Sequence, residues 1–142
     1  MIKKINIIVV AMFSLLLMTS AGDEVKKGIE FQKITLEKAK SISKLTGKPI
    51  FIDCYTDWCG PCKRMAKTAF VDQKVGELYN SNFINLKVEM EKNSDGREIS
   101  RMYKINAYPT LLIINGDGKL QKKVVGMQKA GGLIQLANGV LK

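Results

Sequence analysis

The sequence predicts an α/β domain: a central mixed β-sheet with helices on both faces. Short apolar runs rich in β-formers alternate with segments spaced like one face of a helix, the pattern of strands joined by helices. The last two runs flank Asn115-Gly116-Asp117-Gly118, a turn signal that predicts an antiparallel hairpin. A chain of 142 residues that is 46% hydrophobic and 25% charged is one globular domain with room for its own core.

Ile29 to Ile34 reads as a short strand. From Leu36 to Leu45, apolar residues at Leu36, Ala39, Ile42 and Leu45 mark a helical face, with Thr35 as N-cap and Gly47 as stop. Pro49 to Tyr55 (PIFIDCY) is a buried strand. Cys59 to about Ala69 lacks strand patterning and starts a helix, and Asp72 caps a second helix to Asn80. Phe83 to Met90 is β-like, Lys92 to Gly96 a loop, and Glu98 to Tyr103 a short helix. Thr110 to Ile114 and Lys119 to Val125 form the hairpin, and Lys129 to Leu141 is a terminal helix. Strands joined by helices should run parallel, leaving only the hairpin antiparallel.

Residues 1–21 stand apart. Lys3 and Lys4 precede an apolar run from Ile5 to Met18, and Thr19-Ser20-Ala21 supplies small residues before the first acids. This is the pattern of a secretory signal peptide, cleaved after Ala21, with Gly22 as the alternative. The run of 14 residues from 5 to 18 is short for a membrane span, which needs about 20. An uncleaved anchor is the competing reading. The domain is then 22–142, with Gly22 to Gly28 fraying, and the protein works outside the cytosol, where disulfides persist.

Composition excludes several chemistries. Without histidine there is no Ser-His-Asp triad, Cys-His dyad or His-ligated metal. Three cysteines cannot complete a four-cysteine metal site. The formal charge of +10 is spread in short clusters (Lys26-Lys27, Lys63-Arg64, Lys122-Lys123) without interleaved aromatics, a solvated basic surface rather than a nucleic-acid stripe.

Trp58-Cys59-Gly60-Pro61-Cys62 follows a predicted strand and opens a predicted helix. Two thiols three apart at a helix start can close into a disulfide with little motion. Free backbone N–H groups and the helix dipole favour a thiolate on the first. Cys59 is therefore the attacking thiol, and Cys62 resolves the mixed disulfide. Half a zinc site lacks its other ligands, and a purely structural disulfide across so short a loop restrains little.

WCGPCK, from Trp58 to Lys63, resembles the active-site motif of the thioredoxin family. The resemblance covers roughly residues 48–128. It implies a thioredoxin-like fold and a thiol–disulfide oxidoreductase with no organic cofactor and no metal. Asp53, an acid inside an apolar strand, matches the family's buried acid. The resemblance places it beneath Cys62 as proton acceptor, with Lys87 approaching it; a solvent-facing acid and an exposed strand lysine are the plainer alternatives. Tyr108-Pro109-Thr110 is similar to the family's cis-proline loop, whose backbone lies against the sulfurs and pairs with bound peptide; an ordinary trans proline opening a strand is the plainer alternative. Gly126 resembles the glycine at the edge of the substrate groove. Trp58, Gly60, Pro61, Tyr108, Gly126 and Met127 would form the docking surface around Cys59, with core filling as the plainer alternative for Met127. Cys54 points opposite to Asp53 and reads as a buried inert thiol, with a third redox cysteine as the alternative.

The sequence departs from cytosolic members in Lys67, where they carry a kinking proline, and in a longer loop at Asn93 to Arg97. Lys63, Met65 and Phe70 are nearer to exported bacterial thioredoxin-like proteins. The resemblance implies a monomeric reductase of protein disulfides in the bacterial periplasm, fed by a transmembrane thiol donor. A disulfide oxidase or isomerase, and a binding or chaperone module using the same groove, are the alternatives.

Overall fold

A computed structural model describes residues 28–141. Residues 1–21, expected to be a signal peptide, and all but the last residue of the segment expected to fray, lie outside the described residues. The described chain runs α1 (Leu36–Thr46), β1 (Ile50–Tyr55), α2 (Gly60–Lys67), a 3-10 turn (Ala69–Val71), α3 (Gln73–Asn82), β2 (Ile84–Glu89), α4 (Gly96–Tyr103), β3 (Thr110–Ile114), β4 (Leu120–Val125) and α5 (Ala130–Asn138). Among the described residues, no helix is long and apolar enough to cross a membrane.

The sheet has the order β2-β1-β3-β4. β1 and β2 are parallel, while β3 is antiparallel to both β1 and β4. The reversal of β3 corrects the expectation that all helix-linked strands run parallel. After α4 the chain re-enters the sheet at the end where β2 left it, with Thr110 beside Cys54.

Alternation along the strands sorts side chains to two cores. Ile50, Ile52 and Cys54 of β1 pack with Leu36 and Ala39 of α1 and Ile99 and Tyr103 of α4. Phe51 packs on the opposite face with Met65 of α2, Val75 and Tyr79 of α3, and Leu133 and Ala137 of α5. The second core is aromatic: Phe51 meets Tyr79 edge-on at 4.7 Å and Phe70 at 6.4 Å. The Tyr79 hydroxyl donates to the Leu133 carbonyl at 2.8 Å, so its burial leaves no polar atom unpaired.

Two further expectations are corrected. Ile29 to Ile34 is not a strand. Its N–H groups go to separate elements, Ile29 to Phe70 O, Glu30 to Asn80 Oδ1 and Gln32 to Asn85 O, so no ladder forms. In α1, Leu45 is 87% exposed while Ser43 is buried. A strict three-residue spacing drifts by about 60° per step, so Leu45 ends on the side opposite Leu36, and the seventh residue on, Ser43, lies beneath it. The Ser43 hydroxyl is satisfied by donating to Lys48 O at 2.6 Å. Thr35 and Gly47 cap α1 as expected.

Candidate functional site

β1 ends at Tyr55, and after four intervening residues the chain starts α2 at Gly60. Pro61 occupies the first turn of that helix, where its missing N–H is no loss. Cys59 is the N-cap, and its Sγ accepts from the Cys62 N–H at 3.2 Å. Cys59 and Cys62 form a disulfide with their Cα atoms 5.3 Å apart. Both are nearly buried, at 3% and 4% exposure, while Gly60 and Pro61 between them are exposed.

Three loops carry the other residues singled out in the sequence. Trp58 is 66% exposed, and its ring stands edge-on to Tyr108 at 6.0 Å. Tyr108–Pro109 is a cis peptide bond. The Pro109 carbonyl accepts from Gly126 N–H at 2.8 Å, and Gly126 holds φ +95°, a left-handed conformation that other residues rarely adopt. Met127 is exposed beyond it, not core filling, and Gln128 N–H reaches the Met65 sulfur of α2 at 3.4 Å. The last strand of the sheet is thus tied both to the cis-proline loop and to the dithiol helix.

Asp53 is 1% exposed and lies on the α2 face of the sheet, the face of Phe51. Parallel register sets it beside Lys87, whose ammonium is 3.8 Å from Oδ2. That ammonium also sits 4.7 Å from the Tyr55 ring and 5.7 Å from Phe70. Neither Asp53 oxygen has a hydrogen-bond donor among the described residues. Desolvation pushes the Asp53 carboxyl up to about 7, and the Lys87 charge pulls against it. A carboxyl with that value exchanges its proton near neutrality.

Cys54 points to the other core and is fully buried. Burial holds its thiol far above the usual range, the Asp53 charge adds to this, and Lys123 opposes it. A thiol so rarely ionised is a poor nucleophile. Among the described residues no group of three or more His, Cys, Asp and Glu side chains is placed to hold a metal.

Sequence reasoning missed Glu89 and Glu91. Glu89 is nearly buried at the end of β2, and its carboxylate accepts from the N–H groups of Asp57, Glu91 and Lys92. Glu91 accepts from the Trp58 indole N–H at 3.2 Å. An acid inside the β-run FINLKVEM is as costly as Asp53 in PIFIDCY, and that cost was the available signal.

A family model described as Thioredoxin matches residues 32–138. The chain is similar to the thiol:disulfide interchange protein DsbD of Pseudomonas fluorescens, 33% identical over 103 residues, which is 70% of this chain and 18% of that protein. It therefore spans about one fifth of the DsbD relatives it matches. Thioredoxin Y1 of Arabidopsis thaliana is 31% identical over 114 residues, 80% of this chain and 62% of that one. Among solved structures, a Bacteroides thetaiotaomicron protein provisionally described as a disulphide-isomerase is 40% identical, with TM-score 0.70 over 80% of this chain and 94% of the other.

Proposed function

The chain belongs to the thioredoxin family, and from that premise we propose that it reduces protein disulfides outside the cytoplasm. The family, with the Cys59–Cys62 disulfide, makes it a thiol–disulfide oxidoreductase. Direction, place and partners are what the proposal adds.

In the disulfide the Cys59 sulfur accepts the Cys62 N–H at the helix start, and on reduction the same N–H groups and the helix dipole favour thiolate there. That thiolate attacks one sulfur of a substrate disulfide. The substrate S–S bond breaks, its second sulfur leaves as thiolate, and a mixed disulfide forms on Cys59. Cys62 then gives its proton to the Asp53 carboxylate and attacks the Cys59 sulfur. The substrate's remaining thiolate leaves, and two electrons have passed from the dithiol to the substrate. Trp58, Tyr108 and Met127 form the apolar wall against which the substrate docks. Gly60, Pro61, Pro109 and Gly126 let its backbone approach the sulfurs.

The observation that carries the direction is the uncharged Gly60-Pro61 pair between the cysteines. A cation there would stabilise the thiolate and so the dithiol; its absence leaves the disulfide form the more stable and the dithiol a stronger reductant. Export is supported by the leader pattern of residues 1–21 and by similarity to thiol:disulfide interchange proteins. An oxidising compartment returns the pair to the disulfide, so turnover draws on a membrane-spanning thiol donor, with this protein acting as a monomer.

Redox titration in glutathione buffers tests the direction. The pair should be dithiol only where glutathione is mostly reduced. A pair that stays dithiol where glutathione is mostly oxidised makes the protein an oxidase or isomerase.

A further inference from the structure

Glu89 is 8% exposed, and both of its carboxylate oxygens are engaged by backbone. Oε1 accepts from Asp57 N–H at 3.1 Å, and Oε2 from Glu91 N–H at 2.9 Å and Lys92 N–H at 2.6 Å. These donors belong to two loops without regular structure, one leading from β1 into Trp58-Cys59 and one following β2. Backbone N–H bonds to an ionised carboxylate are charge-assisted and strong, and a buried carboxylate without them is costly.

The two loops are joined again at their tips. Glu91 Oε1 accepts from Trp58 Nε1, and the Lys92 ammonium pairs with the Asp57 carboxylate. Trp58 is mostly exposed, so packing alone fixes it little. Its orientation depends on Glu91 at one edge and the Tyr108 ring at 6.0 Å. Cys59 is held separately, by its own N–H to Thr56 O at 3.2 Å and by its place at the head of α2.

We propose that Glu89 is a positioning residue: it clamps the two loops so that Trp58 stands ready as a substrate-docking wall, and it governs substrate affinity rather than the sulfur chemistry. The inference rests on the reading of Trp58 as part of the docking surface. Glu89 acts through backbone on Trp58 and does not touch the reacting sulfurs. Loosening the clamp spreads Trp58 over many orientations, and each substrate must then order it on binding.

Trp58 is the only tryptophan, so its fluorescence reports on the wall alone. Glu89→Gln keeps the size and exchanges one acceptor oxygen for an amide that faces N–H donors. Acrylamide quenching of Trp58 in this variant should rise about twofold. KM for a short disulfide peptide should rise about tenfold, with kcat changed less than about twofold. Glu91→Ala, at an exposed position, should also raise quenching, and combining it with Glu89→Gln should add little, since both act on one contact. Wild-type quenching and KM in Glu89→Gln, or full additivity of the two variants, overturns the proposal. If Glu89→Gln does not fold, wild-type quenching in Glu91→Ala overturns it. Failure of the reduced wild-type protein to cleave the peptide overturns the functional reading instead, and quenching alone then judges Glu89.

Discussion

Replacing Asp53 with asparagine should flatten the pH dependence of stability of the oxidised protein. The Asp53 carboxyl is raised from 3.8 to about 7, chiefly by desolvation. In the unfolded chain it ionises near 3.8, so between these values the native state holds a proton that the unfolded state has released. Stability therefore falls as pH rises through this window and levels off above the folded value. A difference of roughly 3 units corresponds to about 4 kcal/mol in full, of which roughly 3 kcal/mol falls between pH 5 and pH 8.5. Asparagine has no proton to lose, so this slope should vanish from the variant. Its unpaired amide adds a cost of about 1–3 kcal/mol at every pH, which cancels when the two pH values are compared. Urea unfolding of both oxidised proteins at pH 5 and pH 8.5 measures the effect. The variant should gain about 3 kcal/mol on the wild type between the two conditions. Parallel stability profiles, differing by less than about 1 kcal/mol over the range, would refute a buried carboxyl that titrates near neutrality. The same substitution should slow resolution of mixed disulfides by Cys62 at neutral pH and spare the initial attack.

Lys87 opposes the rise of the Asp53 carboxyl, so Lys87→Met should move the acid limb of Cys62 resolution upward by about one pH unit. Stopped-flow resolution rates against pH check this, and an unmoved midpoint contradicts the pairing. Cys54 should resist iodoacetamide in the oxidised native protein and react about a hundredfold faster or more once the chain is unfolded. Ready native labelling would show that the core around β1 opens on its own.

The site was legible where the chemistry demands unusual residues in apolar surroundings. CGPC at a strand-to-helix junction pointed to the disulfide at the head of α2. Asp53 stood out because an acid in PIFIDCY needs a reason, and the parallel register then brings Lys87 to it. The cis bond before Pro109 came from the resemblance, since local sequence alone leaves an X–Pro bond either way. The sense of β3 was not legible, because a helical connection between two strands can cross the sheet or return at the same end, and strand patterning carries no direction. Leu45 misled through a spacing that looks helical over two steps and drifts to the far side over three. Glu89 carried the same signal as Asp53, an acid in an apolar β-run, but its role was not legible, because its partners are backbone N–H groups and such bonds leave no pattern in side-chain sequence.

The central claim is that Cys59 attacks a substrate disulfide and Cys62 releases the product. The most direct measurement incubates the reduced Cys62→Ser variant with a disulfide-bonded protein such as insulin and maps the covalent adducts by mass spectrometry. Mixed disulfides should accumulate, all of them on Cys59, while the wild type accumulates none and releases reduced substrate. Adducts on Cys54, or a Cys62→Ser variant that forms no adduct while the reciprocal Cys59→Ser variant does, would contradict the account.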